Sequence, residues 1–552
     1  MKKLFLIFLL MFFSAVASYS ATYYMATDGN DSNPGTTDSR WATLSHAFST
    51  MAAGDTLIVG DGTYNQRLVN PPSGTSLANM TTIKAENNGL AIFEITSANS
   101  VMLFQAISYV IVEGFKFSEN VANATGEVAL IDSGSNYNKF LRCAFVKNPT
   151  TTQENVSNFD LNGNYNLIEE CWAWGGGRYK FAAFGGDNTT HGSYNIFRRC
   201  VVRHDREYSG GYNPQAAFCN YQAANTIFQN CIVVDSNFPI DSNATGWAAQ
   251  PYYDHWAGCW FLEKGQKGAP CTITGCMVIN YSHGFINDDN AGDDSDIMYR
   301  AGNFIFTNNV AINGDHGILC GFSHTNRDIT VDHCAIYNLT GYAYWDADDL
   351  GWGFEGGAAS NARAVSTNSI YYNLDAANGG GLLRVNGAND YNCFYGNSTD
   401  RTSSATGAHD KTTTNPATSW MYPVRIETGS ALKAAGSSGS DIGPDITKKI
   451  GVAGTLYGET GYNTVTDDNL WPFPNEDRIK SDMSSYPSSW PSGSLPSPTR
   501  GFCASEQTLT KYIWETLGNT IPSEIYGDEE PDPVEYSPVT IENISIQGIQ
   551  FN

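Results

Sequence analysis

The densest set of side chains able to do chemistry is "INDDNAGDDSD" (286–296). There Asp288, Asp289, Asp293, Asp294 and Asp296 place five carboxylates in nine residues. Like charges this close repel one another and favour a hard cation with oxygen ligands. The spacing lacks the full pattern of a helix–loop–helix calcium site, so calcium is expected on charge density alone, and a solvated acidic loop is the competing reading. Basic groups gather in "GRYKF" (177–181) and "FRRCVVRHDRE" (197–207), which hold Arg178, Lys180, Arg198, Arg199, Arg203, His204 and Arg206. Abstraction of a proton beside a carboxylate needs a base and a group that neutralises the carboxylate. Lys180 and Arg203 are candidate bases and Arg178 a candidate ligand of an acidic group. Lys264, in an aromatic-rich stretch, is a further candidate base. Asp205 and Glu207 dilute the cluster, and an ion-pair network with neighbouring segments is the alternative.

Aromatic residues concentrate in two stretches. "NATGWAAQPYYDHWAGCWFLEKGQKG" (243–268) carries Trp247, Tyr253, Trp256 and Trp260, and "WDADDLGWGFEGG" (345–357) carries Trp345 and Trp352. Exposed rings are platforms for the apolar faces of sugars; buried ones are core.

These residues need a scaffold, and the sequence contains a repeat that supplies one. "NKFLRCAFVKN" (138–148), "NLIEECWAWGG" (166–176), "NIFRRCVVRHD" (195–205), "TIFQNCIVVDS" (226–236) and "TITGCMVIN" (272–280) share one column, and four later stretches continue it. The column reads Cys143, Cys171, Cys200, Cys231, Cys276, Asn309, Cys334, Ser369 and Cys393, at intervals of 24 to 45 residues. Short alternating strands at this period, with no helical pattern between them, predict a solenoid of strands. The fold class is all-β: a right-handed parallel β-helix with an N-terminal capping helix and a C-terminal extension. Residues one coil apart stack at about 4.8 Å, so the column predicts a buried ladder of seven free thiols rather than disulfides, whose geometry parallel Cβ vectors fit poorly.

Four segments follow. Residues 1–20 read as an export signal, with Lys2 and Lys3 before "LFLIFLLMFF" and a small-residue site at "AVA". Residues 21–450 form the β-helix. "WATLSHAFSTM" (41–51) predicts a helix whose Trp41, Leu44, Phe48 and Met51 plug its open end. Residues 451–527 are a wrap ending in a helix at 505–519, and residues 528–552 are an acidic proline linker and a terminal strand. The outward positions of the cysteine strands form an apolar stripe, including Ile232, Val234, Met277, Ile279, Val310 and Ile312. Such a stripe should not face water; the segment after 450 is expected to cover it in a monomer, association of chains being the alternative.

The column and the opening "YYMATDGNDSNPGTTDSRWATLSHAFSTMAAGDTLIVGDGTYN" resemble the pectate-lyase-like superfamily of exported bacterial β-helix proteins, over roughly residues 22 to 450. The resemblance implies a secreted or cell-surface protein that binds and cleaves an acidic polysaccharide, by β-elimination ahead of hydrolysis. A non-catalytic surface or adhesion protein is the rival. Asp288 and Asp289 with His316 in "GDHGI", one coil later, are similar to the paired aspartates and histidine of polygalacturonases. That resemblance would make them acid, base and neighbouring histidine. It departs one coil earlier, where only "PIDSN" stands, with Asp241 as a candidate substrate contact. The insertions at about 244–270, 289–302 and 346–362 are expected to leave one corner and wall a groove. A net charge of −25 argues against nucleic acid as a partner, and no run after the signal is long enough to span a membrane.

Overall fold

The computed structural model describes residues 20–97, 99–121, 126–148, 156–185, 191–203, 216–236, 258–263, 270–281, 284–288, 304–314, 316–320, 328–339, 352–355, 363–374, 379–484 and 501–526. Their strands stack into three parallel sheets of 13, 12 and 12 strands. Sheet I runs from Thr22–Met25 to Asn389–Asp390, sheet II from Gly62–Tyr64 to Cys393–Tyr395, and sheet III from Leu68–Val69 to Arg401–Thr402. Each coil visits them in that order. Leu167–Glu169, Trp172–Gly175 and Tyr179–Phe184 make one coil, and Ile196–Arg198 returns to sheet I. The chain is a right-handed parallel β-helix.

Two devices hold the coils in register. The first is the turn from sheet I to sheet II, which is two residues long in every coil from Leu141 to Cys393. Its first residue is left-handed, as at Arg142, Glu170, Arg199, Asn230 and Asn308 with φ of 53°, 55°, 52°, 52° and 54°. A non-glycine residue there costs about 1–2 kcal/mol. The second turn residue is the ladder position, which offsets that cost by satisfying buried amides. The Cys143 amide donates to Cys171 Sγ at 3.4 Å, Cys231 to Cys276 Sγ at 3.3 Å, and Cys276 to Asn309 Oδ1 at 2.9 Å. The register corrects one member of the column. Ile370 pairs with Cys393, so Asn392 fills the ladder below Ser369 and Cys393 turns outward into the wrap. The ladder therefore holds six cysteines rather than seven; a cysteine one place along is a better sequence match but faces the wrong way. All six are unpaired and buried.

The second device is a set of further stacks that the sequence reading did not single out. Asn138, Asn166 and Asn195 repeat the ladder at the turn into sheet I, with amide-to-Oδ1 distances of 2.8 and 2.7 Å. Beside them Tyr109, Tyr137, Tyr165 and Tyr194 stack face to face at 5.2, 4.9 and 4.7 Å. Asn280, Asn313, Asn338 and Asn373 form a third ladder, leaving sheet II.

The interior is apolar, with aromatic stacks such as Phe93–Phe117–Phe145 and Phe181–Phe218–Trp260. Its N-terminal end is plugged as the spacing predicts. Helix Leu44–Thr50 buries Leu44 and Ala47, while Trp41 and Met51 flank it in the same core. The preceding turn serves that helix: Asp31 accepts the amides of Ala42 and Thr43 at 2.9 and 3.0 Å and the Thr43 hydroxyl at 2.7 Å. Burial raises the Asp31 pKa, but these hydrogen bonds outweigh it and hold the carboxyl below its ordinary value.

The apolar stripe of sheet II is covered. Ile232, Val234, Met277, Ile279, Val310, Ile312 and Ile370 pack against Trp420, Ile426, Ile446, Trp471, Phe473, Phe502, Ile513 and Trp514. The cover begins near Trp420, thirty residues before the expected boundary, because the change to Pro- and Ser-rich sequence comes later than the change in course. Its last helix is Leu509–Trp514, capped by Thr508.

Mass spectrometry of the unreduced, folded chain should show no disulfide among Cys143, Cys171, Cys200, Cys231, Cys276 and Cys334, and alkylation should reach them only on unfolding. A disulfide between any two would contradict the ladder.

Candidate functional site: the outer face of sheet III

From Leu141 on, the two-residue turns leave no room for insertions between sheets I and II. The long connections all border sheet III. Residues 204–215, 237–257 and 340–351 lead into its strands, and residues 264–270, 289–303, 321–327 and 356–362 lead out of them. The long connections thus join the strands of sheet III at both of their ends, entering and leaving, rather than at one corner. The sheet III strands of those two coils are Gly258–Glu263 and Trp352–Glu355.

This arrangement redistributes the candidate residues. Trp260 lies on the inner side of sheet III, fully buried and stacked on Phe218 at 4.9 Å, so its ring is core and not a sugar platform. Lys180 is fully buried, and its Nζ donates to the Gly176 and Gly177 carbonyls at 2.6 and 3.1 Å. Arg178, half-buried, lies 5.3 Å over the Tyr179 ring at the start of the strand. Arg203 points the other way, off sheet II, and bonds the Met483 carbonyl and Cys503 Sγ of the wrap. Arg198 and Arg199 pair with Glu169 and Glu170 off sheet I. The basic cluster is thus divided among three faces, because the left-handed turn at Arg199 separates neighbours in sequence.

Asp288 and His316 are also separated. Gly284 pairs with His316 and Asp288 with Cys320, which puts four residues, roughly 13 Å of strand, between their positions. A shared catalytic pair of the polygalacturonase kind does not fit that register. Trp352 opens the strand Trp352–Glu355, in register with Gly380. Asp241, Trp247, Tyr253, Trp256, Lys264, Asp289, Asp293, Asp294, Asp296 and Trp345 lie outside the described residues. Among the described residues no group of three His, Cys, Asp or Glu side chains could hold a metal ion.

One residue emerges that the sequence reading missed. Asp160, in Ser157–Leu161, occupies the outward row of sheet III between Leu130 of the preceding coil and Ala182 of the next. Its Oδ1 is buried and has no hydrogen-bond partner among the described residues. Burial, with the neighbouring Glu127 carboxylate, pushes its pKa up to about 8, against a hydrogen bond from Ser157 and the Lys147 charge. Lys147 is itself held in a buried ion pair with Glu119 at 3.1 Å. That shift favours the neutral acid, a form able to donate a hydrogen bond to an anionic oxygen. The alternating "SNFDL" reads as an ordinary strand with a solvated aspartate; only the coil register reveals its apolar neighbours. Further along the face, Tyr179, Ala182, Ala216 and Cys219 form a buried patch with Phe184 and Tyr221.

No family model matches the chain. A stretch of 77 residues is 35% identical to the uncharacterized protein YwoF of Bacillus subtilis, covering 14% of this chain and 16% of that protein's length. Among solved structures, pectate lyase Pel9A is 16% identical with a TM-score of 0.41, covering 78% of this chain and 96% of that one. The PL6 family alginate lyase AlyGC is 12% identical with a TM-score of 0.41, covering 68% and 47%. A rhamnogalacturonan lyase is 16% identical with a TM-score of 0.38, covering 57% and 82%.

A carboxyl that is protonated in the folded chain and ionised when unfolded makes stability fall as pH rises, here between about 4 and 8. Asp160→Asn should flatten that part of the pH profile and raise the melting temperature relative to the parent at about pH 8. An unchanged slope would contradict the assignment. The three stacked parallel sheets, with their laddered turns, make the chain a right-handed parallel β-helix.

Proposed function

We propose that the chain binds an acidic extracellular polysaccharide on the outer face of sheet III and cleaves it by β-elimination. The observation that carries this reading is Asp160, a carboxyl on the outward row of sheet III between Leu130 and Ala182, whose Oδ1 is buried without a hydrogen-bond partner among the described residues. In β-elimination a base removes the proton at C5 of a uronate, the C4–O4 bond breaks, a C4=C5 double bond forms, and the leaving oxygen takes a proton. The step is slow because negative charge builds up on the uronate carboxyl group. A hydrogen bond donated by protonated Asp160 would stabilise that charge where it develops. Arg178, just before the neighbouring strand and four residues along from Ala182, the partner of Asp160, is assigned to binding a more distant sugar unit. The base is assigned to the insertions, where the sequence offers Lys264 as well as His204 and Arg206, since Lys180 and Arg203 serve the fold. Calcium on the acidic 288–296 stretch would supply further neutralisation. Export is proposed on the N-terminal segment, which lies outside the described residues. Among the described residues no helix is long and apolar enough to cross a membrane.

A non-catalytic surface protein is the second reading, favoured by the structural use of Lys180 and Arg203. Ultraviolet absorbance of unsaturated uronates, measured on alginate, pectin and glycosaminoglycans with and without chelator, separates the two. The parent should give a signal on one of them, and Asp160→Ala should lower kcat by about 100-fold, as loss of one donor to a developing anion does. New reducing ends without absorbance would mean hydrolysis. Neither product on any glycan would overturn the enzyme reading.

A further inference from the structure

A second groove lies on a different face. The arm of residues 445–465 crosses the outer side of sheet I and is held there by backbone bonds. Arg198 donates to the Val452 and Tyr462 carbonyls at 2.8 and 2.9 Å, Gln229 to the Tyr462 carbonyl at 3.1 Å, and the Ile450 amide to Asn230 Oδ1 at 2.7 Å. Over the middle coils the arm works as a lid, with Leu456 covering Leu167, Ile196 and Ile227. One coil later the same row changes to Thr272. There the arm and sheet enclose a cavity of about 380 Å³, within the range of small-ligand pockets, roughly 300–1,000 Å³.

Its lining has the composition of a sugar site. Thr272 and Thr307 supply hydroxyls, Asn463 an amide, and Tyr457 and Tyr462 two rings with centroids 4.9 Å apart. Tyr457 is fixed in place because it meets the end of the tyrosine stack edge-on, at 5.1 Å from Tyr194. A ring held before a ligand arrives loses little freedom on binding. The lining also holds a cation. Lys448 Nζ donates to the Asp467 carbonyl at 2.8 Å and to Asn469 Oδ1 at 2.7 Å, both neutral acceptors. Asp445, the acid of the lining, is engaged by Thr447 at 2.6 Å.

We infer that this groove is a second glycan-binding site, which takes a uronate-bearing pyranose with its ring on the tyrosine pair and its carboxylate toward Lys448. It lies apart from sheet III and rests on the proposed function only for the acidity of the glycan.

Affinity electrophoresis of the full chain through gels containing alginate, pectin or a neutral glucan tests it. The parent should be retarded on an acidic glycan, and Tyr462→Ala and Lys448→Gln should each weaken the retardation about tenfold. Lys448→Gln keeps the arm's backbone anchors, and melting curves show whether either variant is unfolded. Retention by the neutral glucan alone would overturn the charge assignment. If both variants run like the parent while unsaturated product forms, the groove fails and elimination stands. If the parent yields no product yet is retarded in a Tyr462-dependent way, elimination fails and the groove stands. An unretarded parent would overturn the groove.

Discussion

Stacking of like on like at one strand spacing is the constraint from which the rest of the molecule follows. In a parallel solenoid every residue meets its counterpart one coil away at about 4.8 Å, so a side chain tolerated once must be tolerated repeatedly. Charges stacked this way would repel, and small or hydrogen-bonding groups serve best at the bends. Cysteine, asparagine and serine share the ladder for that reason: each satisfies the amide of the coil before it, as Asn309 does for Cys276 and Ser369 for Cys334. The two-residue turn is the geometric counterpart of that ladder. From Leu141 on it leaves no insertion between sheets I and II, and the long connections adjoin sheet III in chain order.

The same stacking creates a problem on sheet II, where outward positions repeat as apolar residues in coil after coil. The wrap solves it with a second core of its own. Polar anchors fix the wrap in place. Asp235, buried at the head of the outer asparagine ladder, accepts the Phe502 amide and lies beside Asn280 and Tyr512. Burial pushes its pKa up to about 6, against the bond from Phe502 and those from its other partners. Arginines that look like a binding patch in sequence are used here as well. The cover therefore closes sheet II from Ala144 to Cys393, sheet I is half-lidded, and the long connections join the ends of the sheet III strands.

Much of this was legible in the sequence. The cysteine column exposed the coil period, the spacing of Trp41, Leu44 and Met51 exposed the plug, and the outward Ile and Val positions exposed the need for a cover. What failed was local matching where the register decides. Cys393 sits one residue from the ladder position held by Asn392. In the same way, the strand positions opposite Phe218 and Ile318 belong to Trp260 and Phe354, each more than thirty residues further on, a distance that no local pattern reveals. Charge clustering misled for a related reason, since residues three or four apart in sequence point off different faces once a left-handed turn intervenes. Asp160 was invisible because its character comes from Leu130 and Ala182, thirty and twenty-two residues away.

The central claim is that the face of sheet III around Asp160 receives an anionic sugar. A crystal structure of the Asp160→Asn chain with a bound oligouronate tests it most directly. The account predicts a sugar carboxylate within hydrogen-bond distance of residue 160, with the glycan lying along the outer side of Ser157–Leu161 and Tyr179–Phe184. An oligouronate seated only on another face, or none seated on sheet III at saturating concentration, would contradict it.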